Sequence, residues 1–355
     1  MTDLSLFDYE LKPELIAQEP KEPRDHSRLL ILNRNGEIIH KKFYQILNFL
    51  DSGDVLVFNN TEVVNSRLFG KKFETSGKVE IFLLRPSNKA VFDETSWPAK
   101  WIIISRPKLK KSLKIKFSHS LSGEIEKENL IVFNKQGETL KKEISKLGQV
   151  PLPPYIKHPT SLSFKNYQTV YAKNKGSVAA PTAGFHFTEK LLDKIREKGT
   201  ETEFLTLHVG LGTFEPIRVK EIEKHQMQPE YFSLSKETAF RLNEAKIKKK
   251  RIIAVGTTVT RALEHCVDKN GFLKPKKGWN SLFIYPGFKF KFVDSLITNF
   301  HLPQSTLLLL VSAFAESATA DKRVFTGREL ILKAYQEAIK EKYRFYSFGD
   351  AMFII

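Results

Sequence analysis

From about Arg67 to Lys146 the chain carries only short alternating or apolar runs, "KVEIFLLRP", "AKWIIISRP", "SLKIKFS" and "NLIVFNK", separated by Gly, Pro, Asn and Ser. A stretch with period-two runs, frequent turn residues and no helical period can bury a core only by closing strands on one another, as a small barrel or sandwich. "QVPLPPYIKHP" (Gln149–Pro159) ends it with three prolines in four residues, which hold the backbone extended. Before it, "SRLLILNR" and "GDVLVFNN" read as strands with "HKKFYQILNFLD" as a helix between them. After it, strands and helices alternate: helix 189–198, strand 202–209, strand 251–255, helix 259–267, strand 282–285, strand 294–297, helix 306–317 and helix 328–341. The expected architecture is an α/β main domain with a mixed sheet, residues 1–60 and 150–355, plus an inserted small all-β barrel, residues 61–149.

Composition limits the function classes. At 355 residues, 41% hydrophobic and 27% charged, the chain can fill about two globular domains. Its single cysteine, Cys266, forbids an internal disulfide and, with an N-terminus lacking an apolar signal region, points to a reducing, cytoplasmic setting. The longest apolar run, "TLLLLVSAFA", is about half of the ~20 residues a membrane span needs and reads as a buried helix. The net charge of +17 points to a polyanion such as nucleic acid, or to a lysine-rich proteome. Residues 61–150 hold 18 Lys and Arg against 10 Asp and Glu. The basic runs "KLKKSLKIK" (Lys108–Lys116) and "KIKKKR" (Lys246–Arg251) suit either an RNA contact or a solvated, lysine-guarded edge.

Four short segments combine small residues with chemistry-bearing ones. "SVAAPTAGFHF" (Ser177–Phe187) places Ala180, Pro181, Thr182, Ala183 and Gly184 before His186, with Thr188 suited to cap the following helix and Gly199 to end it. "HVGLGTF" sets His208 at a strand end, followed by Gly210, Gly212, Thr213 and Phe214. "VGTTVTR" is a strand, Gly256, then Thr257 or Thr258 as a helix cap, with Arg261 in the first turn. "ITNFH" brings Asn299 and His301 after another strand, with Ser305 capping the buried helix. Asn59, Asn60 and Thr61 stand at a further strand end. Ligands of α/β folds gather at the carboxyl ends of strands, so these loops are the candidate binding site. A phosphate-binding P-loop, a nucleophile elbow and a complete G-x-G-x-x-G are absent from the sequence. Nine histidines without H-x-H or H-x-x-x-H spacing give a metal no support.

"GSVAAPTAGFHFTEKLL", "HVGLGTFEPI", "VGTTVTRALE", "FIYPGFKFKFVDSLITNFHLPQSTLLLLVSAFA" and "YRFYSFGDAM", with "FDYELKPELIAQEPKEPRDHSRLL" and "GDVLVFNNTEVVNSRLFG", together resemble the S-adenosylmethionine:tRNA ribosyltransferase-isomerase family of queuosine synthesis over nearly the whole chain. The resemblance implies an α/β protein with an inserted β-barrel. It implies a tRNA substrate with 7-aminomethyl-7-deazaguanine at the wobble position, and S-adenosylmethionine as ribosyl donor. The ribosyl group is transferred to the amine and isomerised to an epoxycyclopentanediol, adenine and methionine leave, and epoxyqueuosine forms. Neither a metal nor a separate cofactor is implied, and a monomer is expected. One departure is visible: "KHQMQPEYF" keeps His225, Met227 and Glu230 of a family H-x-M-H-x-E segment but has Gln228 at the second histidine.

This chemistry asks for a base beside the sulfonium and a proton donor for adenine. Histidine, titrating near ~6.5, suits both, so His186, His208 and His301 are the candidates. Arg261 beside Gly256, Thr257 and Thr258 is the expected seat of the methionine carboxylate, with a surface pair to Glu264 as its alternative. Asn59, Asn60 and Thr61 are expected to read a base edge or ribose hydroxyls, and Phe185 or Phe187 to stack on a base. A non-catalytic RNA-binding protein and a methyltransferase are the competing classes; release of free adenine separates the enzyme from both.

Overall fold

The computed structural model describes residues 2–33, 35–87, 97–210, 217, 219–318 and 326–355. The chain divides into two compact units: Met1–Thr61 with Pro154–Lys173 and Pro181–Ile355, and Glu62–Pro153 with Asn174–Ala180.

The first unit is built on a nine-stranded mixed sheet in the order Lys276–Asn280, Glu230–Leu234, Glu201–Leu207, Val55–Asn59, Ile252–Val255, Ser295–Asn299, Ala351–Ile354, Arg28–Leu32, Ile38–Lys42. Four neighbours in the middle, Glu201–Leu207, Val55–Asn59, Ile252–Val255 and Ser295–Asn299, are mutually parallel. Parallel central strands are covered on both faces and therefore read as continuous apolar runs. Val55–Asn59, Ile252–Val255 and Ser295–Asn299 are indeed buried at every residue. One core packs Leu56, Phe58, Ile253, Val255 and Ile297 of these strands against Phe187, Leu191 and Ile195. The last two lie on helix Glu189–Glu197, which begins where the Thr188 hydroxyl accepts from the Leu191 N–H at 3.1 Å. It ends at Gly199, whose φ of +89° is the left-handed conformation a glycine adopts without strain. Ser305 caps helix Thr306–Ala318 in the same way, through the Leu308 N–H at 3.2 Å. Among the described residues no helix is long and apolar enough to cross a membrane.

The second unit contains a closed antiparallel barrel of six strands, in the order Leu130–Phe133, Lys100–Arg106, Lys78–Pro86, Arg67–Lys72, Lys114–Lys116, Ser122–Lys127. Its interior is filled by Leu68, Val79, Ile81, Trp101, Ile103, Ile115, Ile125 and Ile131, closed off by Leu140 and Ile144 of helix Gly137–Leu147. A mixed sheet and a small all-β barrel are thus both present, as the sequence leads one to expect.

Local assignments differ in three places. Residues 40–42 belong to strand Ile38–Lys42, not to a helix, and Phe43–Phe49 is 3₁₀. An Asn35-Gly36 turn, with Gly36 at φ +85°, folds this strand back on Arg28–Leu32. Residues 282–285 form no strand; the ladder runs through Lys276–Asn280 instead. The Leu282 N–H donates to Asn280 Oδ1 and its carbonyl accepts from Arg261 Nε, so these groups are unavailable to a ladder. The run Lys246–Arg251 is largely ion-paired within its own unit: Lys246 with Asp294 (2.7 Å), Lys250 with Glu201, Arg251 with Asp54 (2.5 Å). It is not a free basic patch.

Candidate active site

Because the four central strands run the same way, their carboxyl ends fall on one edge of the sheet. That edge carries His208, Asn59 to Thr61, Gly256 to Thr258, and Asn299 to His301. The 3₁₀ turn Thr182–His186 sits over it: Thr182 Oγ1 donates to Asn299 Oδ1 at 2.8 Å, and Asn299 Nδ2 lies 3.1 Å from His186 Nε2. The turn fits because of Gly184, where a Cβ would come within 1.9 Å of the Tyr171 hydroxyl. Gly256, at φ +98°, turns the Ile252–Val255 strand into helix Thr257–Cys266.

The three histidines differ in setting. His186 is buried, and its Nδ1 is 2.8 Å from the Ser27 hydroxyl. With the Asn299 amide donating to Nε2, the proton is assigned to Nδ1, which donates to Ser27. Burial, reinforced by the Arg344 and Arg24 guanidiniums, pushes its pKa down to about 3. His301 is also buried; its Nε2 is 2.8 Å from Thr298 Oγ1, its N–H donates to the Tyr335 hydroxyl, and its carbonyl accepts from the Tyr9 hydroxyl. Burial lowers it to about 3. His208 is only half-buried, with Nδ1 2.8 Å from Thr61 Oγ1 and its ring stacked 5.9 Å from Tyr231. Desolvation lowers it to about 4. All three are neutral at pH 7. The expectation of a group titrating near the ordinary histidine value is corrected, because the sheet edge excludes the water that would stabilise an imidazolium.

Arg261 is 3% exposed and pairs with Glu230, itself 5% exposed, at 2.5 Å. Glu230 holds the Gly210 N–H on its other oxygen at 3.0 Å, tying the His208 loop to the Arg261 helix. Arg261 Nε donates to the Leu282 carbonyl at 3.0 Å, and Nη2 is buried without a hydrogen-bond partner among the described residues. The alternative pair to Glu264 is excluded. That carboxylate accepts from the N–H groups of Lys291, Phe292 and Val293.

Other expected roles change. Neither Thr257 nor Thr258 caps its helix; the cap position is Gly256, which offers no side chain. Asn59 is fully buried and staples two strands, donating to the Leu207 carbonyl and accepting from the Leu207 and Thr61 N–H groups. It has no edge left to read a base. Asn60 accepts from Thr206 Oγ1. Phe187 is fully buried against Phe43 and Phe58, and Phe185 is stacked on Phe348 at 5.8 Å, so neither is a platform for a base. Pro181 and Ala183 are buried in the turn beside His186, whereas Ala180 belongs to the barrel unit. Gly212, Thr213 and Phe214 lie outside the described residues. Thr182, expected from its loop, is in the arrangement; Ser27 and Tyr231 join it without a signal in the sequence, and Glu230 has one, in the segment with Gln228. Among the described residues no group of three or more His, Cys, Asp or Glu is placed to hold a metal ion.

A parallel core that gathers imidazoles, an amide, hydroxyls and a helix start at one edge defines an α/β protein, and that edge is where ligands of such folds bind, which makes it the candidate site. The whole chain, residues 4–354, matches the family described as queuosine biosynthesis protein, and it belongs to that family. It is 47% identical to the S-adenosylmethionine:tRNA ribosyltransferase-isomerase of Halothermothrix orenii over 98% of both chains. It is also 47% identical to that of a Thermoanaerobacter species, over 99% of both. A crystal structure of S-adenosylmethionine tRNA ribosyltransferase from Thermotoga maritima is similar, with 34% identity, a TM-score of 0.53, and coverage of 99% of this chain and 100% of that one.

Proposed function

We propose that this chain is an S-adenosylmethionine:tRNA ribosyltransferase-isomerase that modifies a 7-aminomethyl-7-deazaguanine wobble base, acting as a monomer in the cytoplasm without metal or separate cofactor. The observation that carries the reading is the gathering of His208, His186, Asn299 and the Gly256 helix start on one sheet edge in a chain that matches its relatives end to end.

His208 is the proton-transfer group in this reading. It is the least buried of the three imidazoles, and it is neutral at pH 7, the form that accepts a proton from the carbon beside the sulfonium. His186, tied to Ser27 and Asn299, is a positioning residue for the Thr182 turn. The methionine carboxylate is received by the helix start at Gly256, which has no side-chain cap among the described residues, together with Arg261 Nη2, which has no hydrogen-bond partner among them. Free helical N–H groups and an unpaired guanidinium nitrogen are both donors suited to a carboxylate. In the overall transfer the amine forms a C–N bond and gives up one proton and the ribosyl group gives up another; adenine leaves with one of the two, methionine leaves with the electron pair of the broken C–S bond, and the remaining proton passes to solvent.

The test is incubation with S-adenosylmethionine and tRNA bearing the aminomethyl base, followed by chromatography. Free adenine and methionine support the reading. S-Adenosylhomocysteine would assign a methyltransferase, and intact donor with bound tRNA a non-catalytic binder.

A further inference from the structure

Outside the sheet-edge site, the barrel presents a face that its own folding does not require. Along Arg67–Phe73 the inward residues are Leu68, fully buried, and Gly70, where a Cβ would come within 2.7 Å of the Ile115 side chain. The outward residues are Phe69, Lys71 and Phe73, with the two phenyl rings 48% and 55% exposed. Register places Lys71 directly opposite Lys78 on one neighbouring strand and Lys116 on the other. Lys114 is two residues away on the same face, and its carbonyl accepts from the Phe73 N–H at 3.0 Å. All four lysines are exposed, and none forms an ion pair among the described residues.

Three lysines side by side on strands about 4.8 Å apart repel one another. Lysines on a β-sheet often guard an open edge, but this barrel is closed. Acidic residues also point outward here: Glu80 is held by Arg67 at 2.5 Å, Glu124 stands opposite Lys114, and Glu126 is held by Lys100 at 2.6 Å. The Arg67 guanidinium lies 4.9 Å over the Phe69 ring, holding that exposed ring in place. Cations in a row, framed by exposed aromatic rings, are the combination that binds single-stranded nucleic acid: cations follow the phosphates and rings stack on bases.

We propose that this face docks an unpaired stretch of RNA, with phosphates over Lys78, Lys71 and Lys116 and bases stacked on Phe69 and Phe73. The two phenylalanines are four residues apart on one extended segment, about 13 Å. That matches about four stacked nucleotides at 3.4 Å each, the lower end of the site size of small barrels. The inference rests on the tRNA reading above and names where that partner is held.

The experiment measures anisotropy of the full chain with a labelled eight-nucleotide single-stranded oligoribonucleotide, with an RNA duplex, and with tRNA, across a KCl series. Wild type is expected to prefer the single strand to the duplex. The triple variant Lys71→Ala, Lys78→Ala, Lys116→Ala is expected to lower the log–log salt slope by about 2, at ~0.7 for each phosphate no longer neutralised. Phe69→Leu with Phe73→Leu is expected to weaken single-strand binding by about tenfold or more at unchanged slope, and Phe→Tyr at both to restore it. In turnover, both changes raise the KM for tRNA and leave that for S-adenosylmethionine alone. The substituted side chains are exposed, so the circular dichroism spectrum stays that of wild type. If wild type releases adenine yet the variants bind and turn over like it, the face is not the docking surface. Equal displacement by polyglutamate, with no effect of Phe→Leu, would make it a non-specific cationic patch and also overturn the proposal. Absence of adenine release from wild type would instead count against the enzymatic reading, which the oligonucleotide arm does not depend on.

Discussion

The sheet edge and the barrel face handle polar groups in opposite ways. At the edge, Asn59, His186, Asn299 and Arg261 are almost fully buried, and each is held by hydrogen bonds or an ion pair. On the barrel, Lys71, Lys78 and Lys116 are exposed and aligned, without ion pairs among the described residues. Burial makes position costly to change and suppresses charge on imidazole. Exposure keeps charge and leaves position loose. A transferase acting on RNA needs both: fixed geometry for a small reactive donor, and a field that attracts a large polyanion.

The sharpest way to break this contrast is Arg261→Ala. It leaves the buried Glu230 carboxylate without its guanidinium, which costs about 3–5 kcal/mol of stability. Urea unfolding should show the loss, and calorimetry should show weakened S-adenosylmethionine binding in whatever protein remains folded. Arg261→Lys keeps a charge beside Glu230 but lacks the second guanidinium nitrogen, so stability should recover more than donor affinity. Full donor affinity in Arg261→Lys would remove the arginine from the carboxylate seat.

Two phenylalanines test the same contrast without charge. Phe187→Ala empties a packed core position and should cost about 3–5 kcal/mol. Phe69→Ala removes an exposed ring and should stay within about 0.5 kcal/mol. Thermal unfolding of the pair checks this; similar losses would mean Phe69 is packed in solution.

Acid should weaken the fold through His186 and His301. Unfolded, each titrates near ~6.5; folded, each is held down to about 3. Below pH 6.5 the unfolded chain therefore binds protons that the folded chain refuses. Stability is intact above that value and falls as pH drops toward 3, by up to ~1.4 kcal/mol per pH unit for each histidine. His186→Gln should flatten that slope in denaturant titrations, and an unchanged slope would show that His186 is protonated in the folded protein.

The smallest effect belongs to Lys108→Ala. Lys108 meets Glu128 at 3.0 Å with both side chains largely exposed, a pair that contributes little. No change in stability, turnover or salt slope is expected; a lowered slope would extend the RNA-binding surface to Lys108.

Much of the fold is legible because it is written in local periodicity. The short runs between turn residues are the barrel strands, Thr188 and Ser305 are caps, and Gly199 ends its helix with positive φ. The family and its enzymatic class are legible too, since whole motifs survive in order along the chain. Strand Ile38–Lys42 escapes a reading by periodicity although its Asn-Gly turn stands in the sequence, because the partly apolar run that follows the turn also suits a helix.

Residue order alone settles most of the element types, the gathering of glycine, threonine and histidine at strand ends, and the excess of lysine. What those residues become is settled by tertiary structure. Sheet order sets Asn59 as a staple and His208 as the half-open imidazole. Packing turns Phe187 into core, long-range pairing gives Arg261 to Glu230 from 31 positions away, and cross-strand register lines up Lys78, Lys71 and Lys116. The physical reason is that caps, turns and periodicity act over a few neighbouring residues. Burial, partner and pKa depend on which distant segments the sheet and the barrel bring together.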